Sequence, residues 1–287
     1  MNKILILGSN GMLGTYLTKY LSKNHTVIPS TRKDFDLSKM TIRKFKKYMD
    51  SIDIKCGDYI LNASGIIKQR KYDEIEMIKI NSMVPHFLSI IKEKYDINII
   101  HFSTDCVYDG DRDANILLNE DYNHTCDGLT CLELSKQVEK IIIDNRPWDG
   151  ILHFFAPKKV TKFELVEMIN DVYKLEIEIN IKHTDKNCFR DLSSKYKNPV
   201  RLTLREQIIE QKEFNIYEAI RKSMKGIDFG DVKLITPKNA VSENKEVKIV
   251  KLDYELNYEA YNRFVVYNLK DHIETDYVLL VQDDGYV

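Results

Sequence analysis

The chain has 287 residues, enough for two domains with a sizeable core. Hydrophobic residues make up 43% of it and charged residues 30%, which is typical of a globular protein rather than a disordered one. The formal net charge of −1 argues against a nucleic-acid-binding protein, since such domains are usually strongly basic. No run of about eighteen apolar residues predicts a membrane span, and no charged leader precedes the first apolar segment. The five cysteines show no metal-type pairing, so we expect a reduced, cytoplasmic protein without a metal site.

The first fourteen residues contain the most informative motif. The apolar run 4–7 predicts a parallel strand buried on both faces, and apolar residues recur at helical spacing over 13–21. Between them, Gly8 allows a tight turn, Gly11 allows the backbone to approach a pyrophosphate, and Gly14 allows close packing of helix and strand. Strand, glycine turn and helix N-terminus together predict a dinucleotide-binding site.

The residues after the second predicted strand, His25 to Ile28, bear on the choice of dinucleotide. An acidic residue that holds the adenosine ribose usually lies near this strand end, but here the sequence over 29–33 is Pro-Ser-Thr-Arg-Lys. Arg32 suits a 2′-phosphate better than a bare ribose, which favours NADP, with NAD as the alternative. The competing interpretation is that Arg32 and Lys33 are ordinary solvated surface residues.

Two further strands are predicted before residue 125, at 59–65 and 97–102. The first ends in small residues, at the edge where open α/β sheets bind ligands. The fold class is therefore α/β, with a Rossmann-like, doubly wound parallel sheet. A complete sheet of this type has six strands, whereas only four are predicted here before the next apolar segment, Gly150 to Phe155. We expect an incomplete sheet with an apolar edge that needs a partner.

The motifs of the first 123 residues resemble those of a known family. In order, they are Gly-x-x-Gly-x-x-Gly at 8–14, Asp36-Leu37, Asn62-Ala63, Asn81 and Ser103-Thr-Asp-x-Val-Tyr-Asp-Gly110. This series is similar to that of the extended short-chain dehydrogenase/reductases. The closest branch is the dTDP-4-dehydrorhamnose reductase group, which reduces a keto-sugar on a nucleotide with NAD(P)H.

The resemblance implies a set of site residues. Those that would hold the cofactor pyrophosphate are Gly8, Ser9, Asn10, Gly11, Met12 and Leu13. Asp36 and Leu37 would hold the adenine, and Ala63 and Ser64 would lie along the cofactor. Thr104 would take the position of the catalytic hydroxyl that hydrogen-bonds the substrate keto oxygen. Asp105 and Val107, in the same motif, would contact the substrate.

The catalytic pair of this family is missing from the sequence. The family needs a Tyr-x-x-x-Lys pair, in which Tyr is the general acid and Lys lowers the pKa of that Tyr and grips the nicotinamide ribose. None of the seventeen tyrosines has a lysine four residues later. Leu132-Glu-Leu-Ser-Lys136 has the right spacing with Leu in place of Tyr. Either the tyrosine was substituted in place, or the dyad helix is absent and this is a later helix; we favour the second interpretation.

The middle of the chain resembles the sugar-binding lobe of the same family, over 150–157 and 160–169. Thr161 and Glu164 are spaced as an N-terminal capping box. Arg190, in Cys188-Phe-Arg-Asp-Leu-Ser-Ser194, is a candidate for contacting a substrate phosphate, and a structural surface role is the alternative.

The sequence changes character near residue 214. Tyr217 to Met224 and Tyr258 to His272 are predicted helices, and 232–235, 247–250 and 277–282 are predicted strands. The last strand ends at Asp283-Asp284 in a segment similar to the N-terminal part of a nucleotide-sugar glycosyltransferase family. The predicted organisation is a dinucleotide-binding domain (1–124), a smaller α/β substrate lobe (125–212) and a partial α/β segment (213–287).

Two functions remain open at this stage. The first is an NADP-dependent nucleotide-sugar reductase of surface polysaccharide and deoxysugar synthesis. The second is a catalytically inactive protein that binds a nucleotide or a sugar nucleotide, or a fused and partly deleted reductase–glycosyltransferase remnant. In either case we expect a nucleotide sugar as partner molecule, no nucleic acid, and a homodimer.

Overall fold

A computed structural model of the chain describes residues 2–67, 73–103, 129–144, 150–158, 160–179, 198–224, 230–236, 246–254, 258–274 and 280. The chain divides into two compact units. The first comprises Met1–Lys162 and Ile181–Gln207, and the second comprises Phe163–Asn180 and Ile208–Val287. Spatial contacts define these units, whereas motifs and composition define the three predicted segments, so the division at 124 and 212 stays a prediction.

The first unit contains a four-stranded parallel sheet in the order β2-β1-β3-β4. Its strands are β1 (Ile4–Leu7), β2 (Val27–Ser30), β3 (Tyr59–Asn62) and β4 (Asn98–His101). The register aligns their last residues in one row, because Leu7 lies opposite both Ser30 and Asn62, and Asn62 lies opposite His101. The predicted α/β fold with a parallel sheet, and its four strands before residue 125, are confirmed.

Helices cover both faces of this sheet, as the continuous apolar sequences of β1 and β3 require. They are α1 (Met12–Leu21), α2 (Ile42–Ser51), α3 (Glu74–Ile78) and α4 (Val84–Tyr95), with a π-helical turn at Lys79–Met83. On one face, Phe45 of α2 and Leu88 of α4 pack in a cluster with Leu5. On the other face, Leu17 of α1 packs in a cluster with Ile4.

Helix α5 (Cys131–Asp144) lies on the α1 face of the sheet. Its Val138 is buried in the same cluster as Leu17 and Leu21, and Ile142 packs against that cluster. At the other end of α1, Asn24 and His25 approach the buried carboxylate of Glu139. Helix α5 is therefore an integral part of the first unit.

Two strand predictions need correction. The second strand begins two residues later than predicted, because the His25 N–H donates to the Leu21 carbonyl and still belongs to the end of α1. The segment Gly150 to Phe155, predicted as a strand, is not one. An apolar run becomes a strand only where its backbone finds a partner strand, and here the Phe155 carbonyl accepts from the Asn198 side chain instead.

The second unit contains most of α6 (Lys162–Tyr173) and α7 (Leu204–Ser223), a parallel pair of strands and a helical segment. The strands β5 (Val232–Thr236) and β6 (Val247–Lys251) confirm the predicted ones. The predicted helix 258–272 is confirmed as α8 (Tyr258–Arg263), a π-helical turn and a 3-10 turn. Of the predicted strand 277–282 only residue 280 is described, and Asp283-Asp284 lie outside the described residues. Among the helices that the structure describes, none is long and apolar enough to span a bilayer.

Candidate functional site

The glycine turn connects β1 to α1 at the carboxyl edge of the sheet. Gly8 has a φ of +75°, in the left-handed region that favours glycine. The N–H groups of Gly8 and Ser9 both donate to the Ser30 carbonyl, and the Gly11 N–H donates to the Gly8 carbonyl. The turn is thus held to the end of the neighbouring strand β2 and closed upon itself.

Gly14 lies where the first turn of α1 crosses this loop. A Cβ atom at Gly14 would lie 2.1 Å from the Gly8 carbonyl oxygen and 2.8 Å from the Cα of Ser9, far inside contact distance. At Gly11 a Cβ would lie 3.2 Å from the same oxygen, which is tight but not prohibitive. The close helix–strand packing predicted for the third glycine is present, and Gly14 is the position that most strictly requires glycine.

The N-terminus of α1 presents backbone donors at this edge. Gly11 is the N-cap, and it has no side chain that could accept from the first N–H groups of the helix. Among the predicted pyrophosphate residues, Met12 is 75% exposed on the first turn, Leu13 packs partly into the core, and Asn10 is exposed. Free N–H groups and the positive end of the helix dipole are what a phosphate binds.

The loop after β2 carries the residues expected to discriminate between dinucleotides. The Asp34 carboxylate accepts from the backbone N–H of Thr31 at 2.8 Å and from its hydroxyl at 2.7 Å, and these bonds lower the pKa of Asp34. Arg32 forms an ion pair with Glu76 of α3, and its side chain is 65% exposed. The only arginine of this loop therefore already has a carboxylate partner.

Asp36 and Leu37, expected at the adenine, form a short turn further along the chain. The Asp36 carboxylate accepts from the N–H and hydroxyl of Ser38 and pairs with Lys39 at 3.1 Å. The Ser38 hydroxyl is the main cause of the lowered pKa of Asp36. Leu37 packs partly against the α2/α4 core. Because the Asp36 carboxylate already caps this turn, contact with an adenine would fall mainly to the backbone here.

Ala63 and Ser64 follow β3 and lie beside the glycine turn. A Cβ at Gly8 would be 3.0 Å from both the Cα and the N of Ser64, so the two backbones are in close contact. Asn62, which is fully buried, accepts through Oδ1 from the Ser64 hydroxyl at 2.5 Å and from its N–H at 3.3 Å. The glycine turn is therefore flanked by Ser30 on one side and by Ser64 on the other.

Asn81 holds the far end of this segment. Its Oδ1 accepts from the Ile66 N–H at 2.9 Å, and its Nδ2 donates to the Ile66 carbonyl at 2.8 Å. Asn81 lies in the π-helical turn between α3 and α4, a rare geometry that is frequent at functional sites. The structure thus explains the two asparagines of the motif series, since they fix both ends of the segment 62–66.

His101 is a site residue that sequence reasoning missed. It ends β4 next to Asn62, and its Nδ1 lies 3.0 Å from the Asn62 Nδ2. Desolvation by surrounding protein atoms lowers the pKa of His101. The signal in the sequence was a polar residue closing the apolar run Ile97-Asn-Ile-Ile, at the same edge as Asn62.

The remaining predicted residues, Thr104, Asp105, Val107 and Arg190, lie outside the described residues. Lys136, with the spacing of the dyad lysine, lies on α5 with its Nζ 3.8 Å from a buried Glu133 oxygen. Within the described ranges, no group of three or more His, Cys, Asp or Glu side chains could hold a metal ion.

A parallel sheet with helices on both faces and a glycine turn at its carboxyl edge defines a Rossmann-like protein. Residues 1–126 match the family model of the RmlD substrate binding domain. The resemblance to the dTDP-4-dehydrorhamnose reductases is thereby confirmed over this part of the chain. A comparison with curated proteins gives no match.

Several solved structures share the fold. A dTDP-4-dehydrorhamnose reductase from Clostridium acetobutylicum has 18% identity and a TM-score of 0.58, over 74% of this chain and 99% of that one. The Bacillus anthracis reductase in complex with NADP has 14% identity and a TM-score of 0.56, over 73% and 97%. Bordetella bronchiseptica WbmH in complex with NAD+ has 11% identity and a TM-score of 0.54, over 73% and 96%. At these identities the likeness establishes the fold.

Proposed function

We propose that the chain binds NAD(P)H at the glycine turn and is a nucleotide-sugar reductase-type protein of surface polysaccharide or deoxysugar synthesis. The observation that carries this proposal is the contact between Gly14 and Gly8. A Cβ–oxygen distance of 2.1 Å requires glycine there, and it brings the helix N-terminus to the end of β1. This is the arrangement by which a dinucleotide fold binds a pyrophosphate.

The comparisons support the same function. The family match covers the segment that carries the turn, and the solved structures that share the fold include reductases of dTDP-4-dehydrorhamnose. One of them was solved with NADP, and WbmH was solved with NAD+. We assign the pyrophosphate to residues 8–13, and the face along the cofactor to Ala63 and Ser64. Thr104, Asp105, Val107 and Arg190 are proposed for the substrate side.

We propose NADP as the preferred dinucleotide. Arg32 is exposed and charged at the strand end where a 2′-phosphate would lie. It would have to share its guanidinium between that phosphate and Glu76, and the Asp34 carboxylate nearby adds a repulsive charge. We therefore expect only a modest preference for NADPH over NADH.

A second candidate function is nucleotide binding without reduction. Besides the missing Tyr-x-x-x-Lys pair, the position of α5 favours it. Helix α2 follows β2 and helix α4 follows β3, and both pack on the same face of the sheet. If the chain continued beyond β4 in the same direction, a right-handed connection would place the dyad helix on that face as well. Helix α5 instead packs on the α1 face. This supports the interpretation that Leu132–Lys136 belongs to a later helix and that the dyad segment is absent.

Two titrations and one kinetic assay separate these functions. Calorimetric titration with NADPH and NADH tests the cofactor site, with Gly11→Val as a variant whose side chain would project over the turn. Oxidation of NADPH in the presence of a dTDP-4-keto-sugar tests the chemistry. Binding that Gly11→Val abolishes, together with turnover, supports the reductase. The same binding without turnover supports the second candidate, and unchanged affinity in Gly11→Val would refute the site assignment.

Other expectations from the sequence also stand as proposals. The described cysteines Cys56 and Cys131 are free thiols, and both have raised pKa values, Cys56 through its bond to Asp96 and Cys131 through burial. We propose a reducing, cytoplasmic location, in which free thiols are usual. A homodimer is proposed as well. The parallel β5–β6 pair suits the glycosyltransferase-like proposal for residues 213–287.

A further inference from the structure

Three of the four strands of the first unit end in a polar residue, and these residues lie in one row. Ser30, Leu7, Asn62 and His101 are neighbours in the sheet register. Beyond the last backbone hydrogen bonds between two strands, polar side chains at the carboxyl ends of adjacent strands can form hydrogen bonds with each other. In this row, Ser30 and Leu7 adjoin the glycine turn directly, whereas His101 is two strands away from it.

The hydrogen bonds of Asn62 define which way its amide points. Its Oδ1 accepts from the Ser64 backbone N–H, which can only donate, so this atom must be the oxygen. The Nδ2 group therefore faces His101 and donates to Nδ1 at 3.0 Å. Because Asn62 is fully buried, an Nδ2 without this acceptor would be left with an unsatisfied donor.

This bond selects one form of His101. An Nδ1 atom that accepts a hydrogen bond carries no proton, so the imidazole is neutral with its proton on Nε2. Desolvation lowers the pKa of His101, which agrees with a neutral ring, whereas a hydrogen bond to the Asn62 backbone acts in the opposite direction. Protonation of Nδ1 would place two donors opposite each other and break the contact to the Asn62 side-chain amide.

The same amide connects His101 to the glycine turn. Held by His101 on one side, Asn62 presents Oδ1 to both the N–H and the hydroxyl of Ser64. The backbone of Ser64 lies against Gly8, because a Cβ atom added to Gly8 would be only 3.0 Å from the Cα and N atoms of Ser64. A shift of Ser64 would therefore move the wall against which the turn is packed.

We infer that His101 is a positioning residue of the dinucleotide site, which holds Ser64 against the Gly8 turn through Asn62. This inference rests on the proposed function, since it concerns the binding of the same cofactor. The role requires an acceptor at Nδ1, and it requires neither a charge nor contact between His101 and the cofactor.

An isosteric pair of variants tests the inference. In His101→Asn, Oδ1 occupies the place of Nδ1 and can still accept from Asn62. In His101→Leu, a side chain of similar shape offers no acceptor. We expect His101→Leu to raise the Kd for NADPH about five- to tenfold, and His101→Asn to stay within about twofold of the wild type. If His101→Leu does not fold, His101→Gln, whose carbonyl lies one carbon further out, replaces it.

A spectroscopic readout separates positioning from general stability. In the ¹⁵N spectrum of the wild type, we expect His101 Nδ1 in the unprotonated range and Nε2 in the protonated range. The side-chain amide protons of Asn62 should exchange slowly in the wild type and in His101→Asn, and faster in His101→Leu. A merely structural histidine would change the melting temperature in both variants without this distinction.

The outcomes are distinguishable. Weak binding in His101→Leu with rescue in His101→Asn supports the inference. Equal binding in all three proteins, equal weakening in both variants, or a proton on Nδ1 overturns it while the proposed cofactor site stands. A wild-type chain that binds neither NADPH nor NADH overturns the proposed function, and the inference with it.

Discussion

The substitution Gly14→Ala tests the packing that brings α1 to the sheet. It adds one methyl group to a helix, where alanine is normally the better residue. The added Cβ would lie 2.1 Å from the Gly8 carbonyl oxygen and 2.8 Å from two further backbone atoms. These neighbours belong to the glycine turn and cannot rotate away as a side-chain end would. The helix or the turn has to move.

The expected magnitude follows from two opposing effects. Overpacking of this kind costs about 1–3 kcal/mol, and a collision with backbone belongs at the upper end. Alanine regains about 1 kcal/mol through its helix propensity. A net loss of about 2 kcal/mol lowers the melting temperature by about 4–8 °C for a chain of this size. Displacement of the α1 N-terminus should also weaken NADPH binding about fivefold, since an anion gains about 1 kcal/mol there.

Thermal unfolding followed by circular dichroism, together with calorimetric titration, measures both effects. The glycines offer a graded series, because a Cβ would lie 3.2 Å from its nearest contact at Gly11 and would meet no described atom within 4 Å at Gly230. The expected order of stability loss is Gly14→Ala, then Gly11→Ala, with Gly230→Ala unchanged. A Gly14→Ala protein with wild-type stability and affinity would refute the proposed packing.

Three other changes have defined outcomes. Glu76→Gln should strengthen NADPH binding about two- to fivefold and leave NADH binding unchanged, because it frees Arg32 from an exposed ion pair. Glu74→Gln on the same helix is the control. An equal gain in affinity for both dinucleotides would contradict this prediction. Asn81→Ala should destabilise the first unit by about 1–2 kcal/mol in urea unfolding, because two backbone bonds to Ile66 are lost; an unchanged midpoint would contradict it. The lowered pKa of His101 contributes stability that is present above the unfolded-state pKa of about 6.5 and is lost as pH falls towards the folded-state value. On acidification the wild type should therefore lose unfolding free energy relative to His101→Asn, and a wild type that gains stability relative to this variant would contradict the assignment.

Part of the first unit, such as β1 and α1, could be predicted from local pattern alone. Ile4 to Leu7 is buried on both sides, and the apolar spacing after Gly14 places Leu17 and Leu21 on the core face. Thr41 precedes α2, and its hydroxyl caps that helix, as threonine commonly does at this position. These features depend on neighbours within a few residues, which the sequence shows directly.

The lateral contacts of the site could not be predicted in this way. The link from His101 through Asn62 to Ser64 depends on the register of β4 against β3, and the pairing of Arg32 with Glu76 joins residues 44 positions apart. Gly150 to Phe155 was predicted as a strand because an apolar run says nothing about whether a partner strand is present. In each case the missing information is a long-range contact.

The most direct test of the proposed function is calorimetric titration of the intact, purified chain with NADPH. Binding of one molecule per chain, lost in Gly11→Val and weakened in Gly14→Ala, is the result expected from a glycine turn that holds a pyrophosphate at the N-terminus of α1. Absence of binding by a folded wild-type chain, for both NADPH and NADH, would contradict it.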